Sequence, residues 1–303
     1  MSDNFESSLI NLGELSKPAT VLVEKISDAV GGIFKPYQIV RVAKAEAQAD
    51  RVRAEGQIEI SDLQRRAFHR FLEEEAKKQT NIEDITQKAL PLLNEDSKPN
   101  EIEDDWITHF FDRCRLISED EMQNLWSRLL AGEANSPGKY SKRTLSVLSD
   151  LDQYDALLFT ILCSFTWELS SLPGEIHINT SLVTPLIYDE RDDFYNRLGI
   201  DASVISHLAT IGLIQHKHDG YRHDLSQNLF LGMGFEVRYF GKLVRVYTEG
   251  EMNEGFPIGT VMFTKSGAEL SSVCGAKPIE RLWEYVLDLW GNEDHVVKLD
   301  LVT

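Results

Sequence analysis

The densest set of side chains able to bind a metal or move a proton is His216-Lys217-His218, with His223 shortly after. In an extended strand, residues two apart face the same side, so His216 and His218 have a spacing that suits ligation of one ion. No cysteine lies close by, and the intervening residues are hydrophilic and hairpin-like. These histidines are therefore read as solvated surface groups, and no metal or other cofactor is assigned. A second group, Glu103-Asp104-Asp105, stands just ahead of a helical pattern. Carboxylates there complement the positive end of the helix dipole, which accounts for them without a catalytic role. Glu133 and Arg143 flank a Pro137-Gly138 turn. As an ion pair they would pin the turn, and as charges on a loop between rigid helices they are candidates for contact with a ligand or partner.

The motifs of common enzyme chemistry are missing. No phosphate-binding G-x-x-x-x-G-K-[ST] or G-x-G-x-x-G is present, and Leu231-Gly232-Met233-Gly234 is a lone G-x-G. No G-x-S-x-G occurs, and Cys114, Cys163 and Cys274 sit in no nucleophile motif. The chain is not expected to be an enzyme. The alternative is a hydrolase whose acidic and histidine residues converge from distant segments.

The 303 residues carry a formal net charge of -18, which disfavours phosphate backbones, so nucleic acid is not an expected partner. Three scattered cysteines suggest no disulfide framework. The first residues have neither a basic nor an apolar leader segment, and no apolar run is long enough to span a bilayer. A soluble cytoplasmic protein is expected.

The elements that must position these groups are mostly helices. Leu22, Ile26, Ala29, Val30 and Ile33 recur at helical spacing in residues 18–34. This stretch reads as a short helix packing on a partner helix, or as one lying on the inner-membrane surface. Residues 37–90 read as a long helix. Val42, Ala45, Ala49 and Val52 form a heptad-like seam, and Ile60, Leu63, Ala67 and Phe71 resume it after Gly56. Arg65, Arg66 and Arg70 precede Glu73, Glu74 and Glu75 at spacings that allow pairing. Residues 94–103 are an acidic linker with Pro99. Residues 104–172 read as a compact helical domain. In it Ser118 and Glu121 make a capping box, Gly132 ends a helix, and Ser141 and Asp152 cap the next two.

From residue 173 to 303 the pattern becomes α+β. Asp201 caps a helix carrying Val204, Ile205, Leu208 and Ile211, Asp219-Gly220 signals a hairpin, and Phe235 to Tyr239, Leu243 to Tyr247, Ile258 to Phe263 and Val296 to Val302 read as strands. Thr264 caps a short helix and Pro278 starts another. A helix, a Gly-Leu-Ile strand and a β-ribbon are winged-helix-like by analogy. The outer face of that helix would be Ser203, Ser206, His207 and Thr210, which lacks the side chains that read bases. The fold class expected is mainly α, with an N-terminal region over residues 1–93 made of the amphipathic stretch and a long coiled-coil-like helix, and a C-terminal α+β, winged-helix-like module.

The middle segment resembles a known group. Glu73 to Ile82, Asp105-Trp106, Phe110-Phe111, Ser118 to Gln123, Leu125-Trp126, Leu129-Leu130-Ala131-Gly132-Glu133, Pro137-Gly138, Ser141, Arg143-Thr144 and Leu148 carry the likeness. They resemble a bacterial domain-of-unknown-function family akin to the abortive-infection alpha (Abi-alpha) proteins, over roughly residues 60 to 220. The resemblance implies a bacterial origin and a place in phage defence, and supplies no catalytic residues. The expectation is a non-enzymatic interaction or assembly protein. Self-association or a protein partner would engage the N-terminal helix through Val42, Ala45, Ala49 and Val52, and Trp106, Trp126, Glu133 and Arg143 would contribute contacts. The competing reading is a winged-helix-type nucleic-acid-binding regulator.

Overall fold

The computed structural model describes residues 15–30, 62–171, 181–223, 235–248, 256–292 and 296–302. The seam Val42, Ala45, Ala49 and Val52 and the Leu231–Gly234 stretch lie outside them. Helices dominate the described chain, and an antiparallel sheet occupies its C-terminal part. Two compact units divide between Ser149 and Asp150.

In the first unit, α1 (Lys17–Val30) buries Ala19, Leu22, Val23, Ile26 and Ser27. That face packs on a 3-10 turn at Pro99–Glu101 and on α3 (Asp104–Cys114). The apolar stripe of residues 18–34 thus goes into its own unit's core as far as it is described. Asp104 and Asp105 occupy the first turn of α3, as the dipole argument expects. They also tie elements together, Asp104 to Lys25 of α1 at 2.6 Å and Asp105 to Lys142 at 3.4 Å.

Of the residues expected to form a long helix, 62–89 are described, as α2 (Asp62–Ala89). Its C-terminal half packs on α4 (Asp120–Asn135), with Asn81, Ile82, Ile85, Thr86 and Ala89 buried. The acidic segment 94–103 does not run free. Lys98 N donates to Ala134 O at 2.8 Å, Asn94 N donates to Asn135 Oδ1 at 2.9 Å, and Ile102 is buried.

The capping box at Ser118 does not form. Glu119 takes the N-cap position of α4 with no side-chain cap. Lys88 of α2 instead bridges to Asp120 at 2.6 Å and to Gln123 at 2.8 Å, which fixes this helix start from outside. That hydrogen bond from Lys88, and then its charge, holds the Asp120 carboxyl below the usual Asp range. The pKa is therefore lower folded than unfolded. The contribution to stability is in place above the unfolded value of about 3.9 and is lost as pH falls through the lowered one. Asp120→Asn is expected to cause a small deficit near neutral pH that is smaller at about pH 3, below the unfolded value. Equal deficits in denaturant melts at both pH values would contradict this assignment.

The second unit begins with α6 (Gln153–Cys163), which follows α5 (Lys142–Asp150). Asp152 and Asp155 form a reciprocal capping box there. The chain then turns directly into β1 (Thr166–Ser171), earlier than the sequence pattern suggests, because the two apolar residues Trp167 and Leu169 alternate into the core. β1, β2 (Leu182–Pro185), β4 (Phe235–Tyr239), β5 (Lys242–Thr248) and β7 (Val296–Val302) make an antiparallel sheet in the order β2-β1-β4-β5-β7. Phe240 (φ 43°) and Gly241 (φ 87°) supply the two positive-φ residues of the β4–β5 turn. Trp167 stacks on Tyr239 at 4.6 Å and on Trp283 at 5.4 Å at the core of this sheet. Trp283 belongs to α10 (Leu282–Gly291), which starts three residues after Ile279 with Arg281 left-handed at its N-cap.

A separate two-stranded ladder pairs β3 (Ile214–His223) with β6 (Phe256–Phe263). Ahead of it lie α7 (Asp193–Arg197) and α8 (Ala202–Thr210), the latter capped by Asp201. After it comes α9 (Lys265–Ser271), capped by Thr264. The Asp219-Gly220 hairpin expected from sequence is a bulge instead. β3 continues past it, with His216 opposite Val261 and Tyr221 opposite Gly259. The reason lies on the partner strand. Thr260 turns its N–H and its hydroxyl to Ile187 O, at 2.6 and 3.1 Å, and so does not pair with β3.

Candidate functional site

Three of the candidate contact residues are interior. Trp106 and Trp126 are buried around Phe110, with ring centroids 5.2 and 5.1 Å away, and Trp106 Nε1 donates to Tyr140 O at 2.7 Å. Buried Glu133 accepts from Gly138 N at 2.6 Å and from Tyr140 N at 3.0 Å. Its carboxyl pins the turn by gathering backbone amides, a role the expected ion pair with Arg143 would have served. Arg143 is exposed. Gly132 does not end its helix, since α4 runs on to Asn135. A β-carbon at Gly132 would lie 2.6 Å from the Tyr140 hydroxyl, so this glycine admits the ring of Tyr140. Ser141 caps α5 through Thr144 N at 3.3 Å. The Leu-Ala-Gly-Glu and Pro-Gly segment is thereby explained as a lock between two helices.

Among the described residues, a long surface without cover runs along α2. Every residue from Asp62 to Lys77 is exposed, about 24 Å of helix. Leu63, Phe68, Phe71 and Leu72 are large apolar side chains with 48% to 68% of their area open to solvent. Arg66–Asp62 at 3.7 Å, Arg70–Glu74 at 3.4 Å and Lys78–Glu75 at 2.6 Å brace the helix along its length. The pairing of the Arg65–Arg70 group with Glu73–Glu75 read from spacing is present for Arg70, while Arg65 and Arg66 turn to Asp62.

A second constellation forms where sequence showed half of it. The bulge in β3 sets His216 and His218 with ring centroids 4.8 Å apart. Both face Glu190, whose Oε1 lies 3.7 Å from His216 Nε2 and 3.4 Å from His218 Nδ1. Of the two, His218 is the solvated surface histidine, at 85% side-chain exposure. His216 Nε2 is cut off from solvent and has no hydrogen-bond partner among the described residues. Glu190 is buried. Its loop is held at both ends. Ile187 O takes the two bonds from Thr260, and the Asp192 side chain caps α7 through Phe194 N at 2.8 Å. Tyr188 Oη accepts from Trp290 Nε1 at 2.6 Å, and Tyr285 donates to Asp192 Oδ2 at 2.6 Å. Burial is the main cause that raises the Tyr195 and Tyr285 hydroxyls above the ordinary tyrosine range, so both stay protonated donors.

The cysteines are all buried. Burial pushes the Cys114 and Cys163 thiols well above their ordinary range, so neither is a ready nucleophile. No described helix is long and apolar enough to cross a membrane.

These features define a two-unit protein, one unit helical and the other an antiparallel α+β fold, with a bare helical face on the first and a histidine–carboxylate cluster in the second. The chain belongs to the DUF2806 family of proteins of unknown function, which it matches over residues 65–287. That match carries no link to the Abi-alpha proteins. No curated protein and no solved structure matches the chain.

Proposed function

We propose that this chain is a non-enzymatic assembly protein that self-associates through the exposed face of α2. The observation that carries the reading is the uncovered Phe68, Phe71 and Leu72, which share one face of a helix whose other half is anchored in a core. Charge selects the occupant. Antiparallel pairing of two copies that sets Phe68 opposite Leu72 brings Arg65 of one helix opposite Glu75 of the other on the same face. Such a two-fold contact is self-complementary. The seam at Val42, Ala45, Ala49 and Val52 is a separate candidate contact for self-association.

In the second unit, the order α8, β3 and β6 supports a winged-helix-like shape. The exposed Ser203, Ser206 and Thr210 of α8 supply no basic side chain, which favours protein contacts over nucleic acid. The Abi-alpha resemblance extends the proposal to phage defence, where assembly would be the output.

The double variant Phe68→Asp, Phe71→Asp should test assembly cleanly, because both residues are exposed and the core is untouched. Light scattering should show a dimer or larger species for the natural chain and a monomer for the variant. Two aromatic anchors lost from an interface correspond to at least about a 100-fold weaker association. A natural chain that stays monomeric at high concentration refutes the assembly reading. Loss of plaque protection with that variant, in cells carrying the gene, is the expected outcome for defence.

A further inference from the structure

We infer that Glu190, His216 and His218 form a binding site for a divalent transition-metal ion, with Zn(II) as the reference ligand. Each offers one ligand atom, and the three atoms lie within 4.8 Å of one another. Metal–nitrogen and metal–oxygen bonds of about 2.0–2.2 Å in a tetrahedron put neighbouring ligand atoms about 3.3–3.6 Å apart. The carboxylate-to-imidazole distances of 3.4 and 3.7 Å lie within about 0.1 Å of that range, and a small rotation of the exposed His218 would bring the two imidazole nitrogens, now within 4.8 Å, to the same spacing.

Burial gives a second and independent reason. A carboxylate taken out of water requires a cation or strong donors. Among the described residues no lysine or arginine pairs with Glu190, and its close polar neighbours are the two imidazoles. His216 Nε2 is likewise desolvated and unbonded, a state that costs free energy unless another partner fills it. One cation placed between the three atoms satisfies both groups at once. A bulge that aims two histidines at a loop held by Thr260, Tyr188 and Asp192 gives this site a fixed wall.

The donor set fixes the ligand class. Two neutral imidazoles and one carboxylate suit Zn(II) and its first-row neighbours, and are too nitrogen-rich for Ca(II) or Mg(II). His218 stands on the solvent side, so water can complete the coordination shell. The side chain of His223 lies outside the described residues and takes no part in the argument.

The experiment uses the full chain, stripped with a chelator and titrated with Zn(II) by calorimetry, then with Co(II) by absorbance. The natural protein should take one equivalent with micromolar or tighter affinity, and its Co(II) form should show the intense visible bands of a low-coordinate site. His218→Ala is the decisive variant, because an exposed side chain can be removed without harm to folding. Zn(II) affinity should fall more than 100-fold, beyond the 10- to 100-fold typical of groups that merely support a ligand. Glu190→Gln should do the same with its circular dichroism spectrum unchanged. His69→Ala, on exposed α2, should leave binding intact. Less than a tenth of an equivalent bound by the natural protein, or natural affinity in His218→Ala, overturns the assignment.

Discussion

Gly259→Ala is expected to cost the second unit about 4 kcal/mol or more, enough to lower its melting temperature by about 8–16 °C. Two effects add. Gly259 has φ 95°, a conformation that any side chain strains by about 1 kcal/mol or more. A β-carbon there would also overlap the backbone oxygen of Ile187, and backbone held by Thr260 cannot step aside. Gly241→Ala separates the two effects. Its φ is 87°, but nothing lies within 4 Å of the added carbon, so strain alone should appear. Thermal melts in which the two variants fall equally would refute the close approach at Gly259. Because Ile187 opens the loop that carries Glu190, a folded remnant of Gly259→Ala should also bind metal weakly.

Glu133→Ala should be the most damaging polar substitution in the first unit. Its two carboxyl oxygens each take a backbone N–H, from Gly138 and from Tyr140. Removing the acceptors strands the Tyr140 N–H in the interior, at about 1–3 kcal/mol, and also unties the solvent-accessible Gly138 N–H, so a loss of about 3 kcal/mol is expected. Glu133→Gln keeps one acceptor and turns an NH2 toward the other amide, and should lose roughly half as much. Arg143→Ala, at an exposed site, should stay within about 0.5 kcal/mol. Denaturant titrations in which Arg143→Ala matches Glu133→Ala would restore the ion-pair reading of this turn.

Much of the fold was legible because it is local. Asp152, Asp201 and Thr264 cap their helices as their positions require, since a cap is decided within four residues. The strands at Phe235–Tyr239, Lys242–Thr248, Phe256–Phe263 and Val296–Val302 follow from alternation and turn residues. Ser118 misled because its motif was right and its competitor distant. Lys88 reaches Asp120 from thirty-two residues away, and that bond replaces a local cap.

The sites were legible in part. Leu63 and Phe71 of α2 and their flanking charges can be read from spacing, whereas Phe68 and Leu72 fall outside the expected stripe. Trp106 and Trp126 looked like contact residues because a large aromatic side chain gives no hint of which way it faces. Glu190 was missed. It sits in an acidic run before a short helix, where a carboxylate has an ordinary local explanation.

By itself, then, the order of residues determined most helices, the caps at Asp152, Asp201 and Thr264 and most strands, because each depends on neighbours a few positions apart. Tertiary structure alone decided that Asp219-Gly220 would bulge and not turn, that Gly132 would admit a tyrosine, and that Glu190 would meet His216 and His218. These outcomes depend on which backbone and side-chain atoms arrive from far along the chain, and periodicity carries no record of that.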